Sequence, residues 1–179
     1  MASHDDSAAL SREVIDEYIE LARIGLSIKK ADDGCLGYPS TLLMFCIIDA
    51  LSNHLGCRKD SFAVLNHKIF GLNLSQDQIE NLKIWYRHPL AHNAMIAPGT
   101  ILTADSDGDA IEFVNDEPVH IRVKPLFRLV EKAWSAFDKK SLKAKRSKVP
   151  KAPIDFSGVA FEIPPASSGC MVKPKVVML

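Results

Sequence analysis

Residues 85 to 93, with the sequence WYRHPLAHN, carry four side chains that handle protons or anions, and apolar, helix-forming sequence flanks the segment. The four are Arg87, His88, His92 and Asn93. Imidazole exchanges protons near neutral pH, and the planar guanidinium of arginine matches the oxygens of a phosphate group. An arginine close to a histidine therefore suits phosphodiester chemistry.

Pro89 decides how these side chains are expected to be placed. Proline has no N–H, and its ring clashes with the carbonyl four residues earlier, so the preceding helix should end or kink near Arg87. Because proline is favoured at the first position of a helix, we expect His88 to be the N-cap and Pro89 to begin a short new helix. In that frame Arg87 and His92 pack together beside the free N–H groups of a helix start, which attract anions.

A purely structural interpretation of the same residues stays open. Arg87 would then bind carbonyls at a helix end, and His92 would be a buried, hydrogen-bonded histidine. Asp49, alone on an apolar helix, either orients Arg87 or hydrogen-bonds the end of a neighbouring helix. Asn93 either contacts a phosphate or caps the backbone locally.

The elements before the motif are predicted to be helical. The first helix has apolar residues at helical spacing, and the second runs from Pro39 to Gly56, is apolar nearly all round and should be buried centrally. Ser75 and Gln78 form a capping box for the helix that leads into the motif. The apolar face of the first helix is expected to consist of Leu10, Val14, Tyr18, Leu21, Gly25 and Ile28.

The sequence after the motif changes character. Alternating β-branched residues between about 100 and 123 predict a small hairpin or meander, inserted as an appendage outside the core, before a last helix that begins at Pro125. The stretch DSDGD, residues 105–109, resembles the start of a calcium loop, but its glycine falls at the wrong position. We expect a hairpin turn there. The fold class is thus mainly α, with a helical domain at 1–138.

Charge divides the chain at the end of that domain. Residues 1–138 hold 13 basic and 20 acidic side chains, whereas residues 139–179 hold 9 and 2. The basic run 139–151 is followed by a proline-containing stretch, residues 152–169, with no helical or strand period. We expect a tail that is either a solvated extension or a phosphate-binding arm.

Several classes of protein lack their usual signals here. There is no long apolar segment or secretory leader, so we expect a cytoplasmic protein, and the four widely spaced cysteines indicate reduced thiols rather than a zinc site or disulfides. The chain has no glycine-rich phosphate loop, no G-x-S-x-G and no H-E-x-x-H. We therefore expect no metal and no cofactor.

The segment YRHPLAHN, placed between helices of a small bundle, resembles the Arg-x4-His signature of the HEPN superfamily. The resemblance covers residues 7–138 in overall pattern, but its specific part is only Arg87 through Asn93. It implies an up-and-down bundle of four to five helices that forms a homodimer and acts as a metal-independent endoribonuclease. Such an enzyme would serve as a toxin or in phage defence, with RNA as substrate and an antitoxin protein as a possible partner.

The resemblance also implies roles for the motif residues. His92 would take the proton of a ribose 2′-hydroxyl or protonate the leaving 5′-oxygen, while Arg87 would stabilise the transition state, giving 2′,3′-cyclic phosphate and 5′-hydroxyl ends. His88 stands where asparagine is frequent in the family, and it is either a second proton donor or a mark of a module that binds RNA, a nucleotide or a protein without cutting. Ala94 stands where some members carry a tyrosine that a partner nucleotidyltransferase modifies. Besides the ribonuclease and the module that binds without cutting, a third possibility is a purely structural helical domain.

Overall fold

The computed structural model describes residues 7–31, 33–57, 60–142, 159–162 and 175–178, and the chain divides into two compact units, Met1–Lys145 and Arg146–Leu179. The first unit is mainly helical. None of the helices within the described ranges combines the length and the apolar character that crossing a membrane requires. The described residues of the first unit form five α-helices, which are α1 (Ser7–Ser27), α2 (Gly37–Leu55), α3 (Gln76–Leu82), α4 (His88–Asn93) and α5 (Val123–Ala136).

Shorter helical pieces connect these elements. A π-helical turn, Lys83–Arg87, joins α3 directly to α4, and 3-10 helices occupy Ser61–Asn66 and Lys139–Ser141. Helix α2 lies at the centre, where it packs against α1, α5 and the first 3-10 helix. Its buried residues are Ser40, Thr41, Met44, Phe45, Ile47, Ile48, Leu51 and Ser52, which agrees with the central position predicted from its apolar sequence.

Helix α1 buries a face that is shifted from the predicted one: Gly25 of the predicted face is buried and Tyr18 packs against the core, but other members are exposed. Its buried apolar residues are Ile15, Ile19 and Ala22, while Leu21 and Ile28 of the predicted face are 54% and 41% exposed. Helices α1 and α2 approach closely at Gly25 of α1, where a Cβ would lie 2.5 Å from the hydroxyl of Ser40 in α2. Because only glycine fits such an approach, this crossing sets the rotation of α1. A helix with apolar residues on two sides does not disclose that rotation by spacing alone.

The local end signals agree with the sequence. Ser75 and Gln78 form the reciprocal capping box at the start of α3. Gly56 ends α2 in the left-handed conformation, with φ of 86°. One start differs: helix α5 begins at Val123 and not at the predicted Pro125. The first turn of a helix has free N–H positions and tolerates proline at several of them, so Pro125 does not fix the first residue.

A three-stranded sheet lies between the motif and α5, formed by β1 (Ile101–Thr103), β2 (Ile111–Val114) and β3 (Glu117–Arg122). The strand order is β1-β3-β2, with β1 parallel and β2 antiparallel to β3. Of the two predicted arrangements, the hairpin is present in β2 and β3, whereas the three strands do not form a meander because β1 is parallel to β3. The hairpin turn is at Asn115 and Asp116, both with positive φ. The stretch at 105–109 instead crosses from β1 to β2, and the expected hairpin turn there is also wrong.

The sheet is part of the core, which corrects its description as an appendage. Ile111 is 8% exposed and Ile121 is fully buried, and both belong to the same apolar cluster as the helices. The alternation along β3 places Ile121 toward the helices and His120 on the opposite face. The Tyr86 hydroxyl donates a hydrogen bond to the Ile101 carbonyl at 3.0 Å, which joins the π turn to β1.

The described part of the first unit continues to Leu142, which is 5% exposed and belongs to the apolar core. In the second unit, β4 (Val159–Glu162) pairs antiparallel with β5 (Lys175–Met178). Strand β4 lies in the stretch where no strand period was found, so that expectation is wrong for these residues. Most of the basic run 139–151 lies outside the described residues. Of the cysteines, Cys35, Cys46 and Cys57 are free.

Candidate active site

The helix through the motif does not stop and restart at Pro89. Arg87 and His88 both have right-handed helical dihedrals, and the His88 N–H bonds to the Lys83 carbonyl, five residues earlier. Helical structure therefore runs from α3 through the π turn into α4. The prediction that His88 is an N-cap is wrong, and so is the expected anion site at a helix start.

The π turn explains how a helix passes through a proline. In a regular α-helix the ring of Pro89 would clash with the carbonyl of Trp85, and that carbonyl would lose its N–H partner. The extra residue in the π turn widens the helix at this place. The Trp85 carbonyl accepts instead from the N–H of Ala97, at 2.8 Å, because the chain after α4 folds back over it. One backbone hydrogen bond from outside the helix thus replaces the one that proline removes.

Packing beneath the motif decides which side chains face outward. Tyr86 is fully buried and Leu90 is 4% exposed, so these two residues anchor the inner side of the helix. Burial raises the pKa of the Tyr86 hydroxyl, which keeps it protonated as a hydrogen-bond donor. With the inner side fixed, His88 and His92 lie exposed on the outer side of the helix. The side chain of Arg87 is half-buried.

Arg87 is held by a carboxylate from the central helix. Its Nε and Nη2 donate to Oδ2 of Asp49 at 3.2 and 2.9 Å. The side chains of Arg87 and Asp49 are 31% and 21% exposed, so the pair is shielded on the protein side and open to solvent on the other. Of the two roles expected for Asp49, the structure shows the contact with Arg87. Oδ1 of Asp49 is buried and has no partner among the described residues.

His88, and not His92, is the imidazole beside the guanidinium. Nη1 of Arg87 lies 3.4 Å from Nδ1 of His88, and the rings of His88 and His92 are stacked with centroids 6.2 Å apart and planes 13° apart. No hydrogen bond joins Arg87 to His92 in the part of the chain that the structure describes. The guanidinium thus meets His88 through a polar contact and not His92, since in a continuous helix residues four apart share a face and residues five apart do not.

Asp49, Arg87, His88 and His92 therefore form a continuous line across the surface from α2 to α4, called here the Arg–His row. The carboxylate holds the cation, the cation contacts the first imidazole, and the second imidazole stacks on the first. In the described ranges, no group of three or more His, Cys, Asp or Glu side chains is placed to hold a metal ion.

Two further residues lie at the edges of the row. Asn93 is exposed at the end of α4, and its amide has no hydrogen-bond partner among the residues that the structure describes, so neither role expected for it is shown. Sequence reasoning missed Cys46, which is exposed on α2, one turn before Asp49. Neighbouring protein atoms partly desolvate the Cys46 thiol and raise its pKa, the Asp49 charge raises it further and the Arg87 charge lowers it. The three-residue spacing to Asp49 was the available signal.

Comparison with known proteins adds no relative. No protein-family model, no curated protein and no solved structure matches the chain. A functional assignment for this chain therefore rests on its own residues and their geometry.

Proposed function

We propose that this chain is a metal-independent endoribonuclease of the HEPN type that acts as a homodimer in the cytoplasm. The observation that carries the proposal is the Arg–His row, in which a fixed guanidinium and two exposed imidazoles lie side by side. Cleavage of RNA by its own 2′-hydroxyl needs a group that moves protons and a cation that stabilises the phosphorane-like transition state. Both are present, and neither needs a metal.

In the proposed reaction, His92 accepts the proton of the ribose 2′-hydroxyl. The 2′-oxygen forms a bond to phosphorus, the bond from phosphorus to the 5′-oxygen breaks, and that oxygen takes up a proton from the His92 imidazolium of the second copy in the dimer. Arg87 stabilises the charge that grows on the non-bridging oxygens. The products are a 2′,3′-cyclic phosphate and a 5′-hydroxyl, and DNA resists because it has no 2′-hydroxyl.

Exposed apolar side chains beside the row support a second copy as partner. Ile84, 50% exposed, precedes His88 by four residues in the continuous helix, and Met95, 49% exposed, lies two residues beyond the end of α4. Large apolar side chains that flank polar groups at a surface are typical of protein interfaces. In a twofold dimer formed through this surface, each row would face its own copy, and one RNA strand would lie between them.

The test is cleavage of RNA by the purified full chain with EDTA present. Structured and unstructured RNAs are incubated with wild type and with the double variant Arg87→Ala, His92→Ala, and the ends of the products are mapped. We expect cyclic phosphate and 5′-hydroxyl ends from wild type alone, and no cleavage of the same sequence made as DNA. Equal, slow cleavage by both proteins overturns the proposal.

One observation favours a second candidate, a module that binds RNA, a nucleotide or a protein without cutting. Asp49 takes two of the N–H groups of Arg87, which is also the arrangement of a structural ion pair. Salt-dependent RNA binding without cleavage, lost on removal of residues 143–179, which keeps the core residue Leu142, would select this candidate. A role as a toxin with an antitoxin partner belongs to the ribonuclease proposal. It predicts that expression of wild type, but not of the double variant, arrests growth.

A further inference from the structure

The contact between Arg87 and His88 determines where the proton of the imidazole lies. A guanidinium has five N–H donors and no acceptor, so in a hydrogen bond across the 3.4 Å between its Nη1 and Nδ1 of His88 the guanidinium is the donor and Nδ1 the acceptor. An imidazole whose Nδ1 accepts a hydrogen bond carries its proton on Nε2. Because Asp49 fixes the other side of the guanidinium, the direction of this bond is set by the fold.

We propose that His88 serves as a neutral hydrogen-bond donor to the RNA phosphate through Nε2–H, and that His92 alone transfers protons. This inference rests on the proposed ribonuclease function and assigns different roles to its two histidines. The lone pair of His88 Nδ1 is occupied by Arg87, so His88 has no free base to offer a 2′-hydroxyl. A neutral imidazole N–H is a good donor to an oxygen on which negative charge grows.

His92 differs from His88 in that neither of its ring nitrogens has a hydrogen-bond partner among the described residues. It is exposed, and apart from the stacked ring of His88 it has no side-chain partner in the described part of the chain. Both of its ring nitrogens are therefore open to solvent and substrate. The two rings face each other at 6.2 Å, so a phosphate that His88 binds through Nε2 lies within reach of His92. Arg87 and His88 would thus bind charge, and His92 would move the proton.

The first test measures the tautomer directly and needs no catalysis. Ring ¹⁵N shifts of the full chain are recorded at a pH where imidazoles are neutral. We expect His88 to be protonated on Nε2 alone, with His92 as the internal reference for an imidazole that exchanges between both tautomers. In Arg87→Ala, His88 should relax toward the His92 pattern. Asp49→Asn, which keeps the shape of the side chain, should give the same shift in case Arg87→Ala folds poorly. A proton on Nδ1 in wild type, or no change in either variant, overturns the assignment.

The second test separates donation from proton transfer by the pH dependence of RNA cleavage. Glutamine places an amide N–H near the position of the imidazole Nε2, whereas leucine keeps the bulk and offers no donor. We expect His88→Gln to lower the rate of RNA cleavage by less than about tenfold and His88→Leu to lower it by about 10²-fold or more. Both variants should keep the wild-type pH profile. His92→Gln should lose the pH-dependent reaction itself.

The outcomes of these tests are distinguishable. A His88→Gln variant that loses one limb of the pH profile would make His88 a proton-transfer residue and overturn the division of roles. If wild type cleaves no RNA, the proposed function fails and the donor role fails with it. The tautomer of His88 is still decided by the ¹⁵N shifts in that case.

Discussion

Two histidine environments in this protein differ in nearly every respect. His120, on the outer face of the sheet, has its Nε2 atom 2.8 Å from the Thr103 hydroxyl and its Nδ1 atom 3.7 Å from a Glu112 oxygen, and its side chain is 15% exposed. Asp105 adds a second carboxylate 4.0 Å away. His88 and His92, in the Arg–His row, are both exposed; His88 has the Arg87 cation as its charged neighbour, and His92 stacks on His88.

The difference separates a structural histidine from one available for chemistry. Both ring nitrogens of His120 face groups of the protein, and the Thr103 hydroxyl donates a hydrogen bond to an Asp105 carboxylate oxygen at 2.7 Å, so the network around His120 is closed. In the Arg–His row the contacts lead from the partly buried Asp49, through Arg87, to the two histidines that are exposed to solvent. A substrate phosphate would extend that row, whereas at His120 it would meet two carboxylates.

The largest effect that distinguishes the two environments is expected for catalysis. His92→Gln should lower the rate of RNA cleavage by about 10²- to 10⁴-fold, because a proton-transfer group is removed from the transition state. The matched change His120→Gln should leave the rate close to that of wild type. Initial rates on one RNA under saturating conditions measure both, and a comparable loss in the two variants would contradict the comparison.

The helix that presents the row should depend on its buried side. Leu90→Ala removes a side chain that is 4% exposed and should lower the free energy of unfolding by about 2–5 kcal/mol. Ala91, next along the chain, is exposed, and Ala91→Ser should change it by much less. Urea unfolding of both variants measures the difference. Similar stabilities would mean that α4 is not anchored from beneath.

Anchoring of the cation should matter more for cleavage than for stability. In Asp49→Asn the guanidinium loses its charged partner, and a misplaced Arg87 should lower cleavage by roughly 10- to 10²-fold. The pair is partly open to solvent, so we expect only about 1 kcal/mol of lost stability. Asp105→Asn, beside His120, is the matched control and should leave cleavage unchanged. Rates and unfolding curves of the two variants decide between these outcomes.

The smallest expected effect is the pH dependence of the sheet cluster. The hydrogen bond from Arg122 to Glu112, at 2.7 Å, together with the Arg122 charge, lowers the pKa of Glu112 below its ordinary value of 4.5. A lowered folded-state pKa means that this pair stabilises the fold above the ordinary value and that the contribution disappears as the pH falls through the folded-state pKa. Thermal unfolding of wild type and Glu112→Gln should therefore differ at pH 6.5 and converge in acid. A constant difference across this range would contradict that role.

The local elements could be predicted because their signals lie within a few residues. The Ser75 and Gln78 capping box and the Gly56 helix end depend on backbone groups one turn away, and the structure confirms both. The buried residues Leu126, Val130 and Ala133 of α5 also recur at helical spacing in the sequence, because one side of this helix faces the core. The motif itself, Arg87 through Asn93, is also visible in the sequence alone.

Only the tertiary structure decided how the motif is presented. The Ala97 N–H, which donates to the carbonyl that Pro89 leaves without its helical partner, comes from the loop beyond α4. The Asp49 carboxylate that fixes Arg87 comes from 38 residues earlier in the chain. The parallel pairing of β1 with β3 and the rotation of α1 about Gly25 likewise depend on distant partners. Residue types and spacing determine which groups are available and which local elements form. Which side chain meets which depends on packing between segments that the sequence keeps apart, and here that packing placed His88 rather than His92 against the arginine.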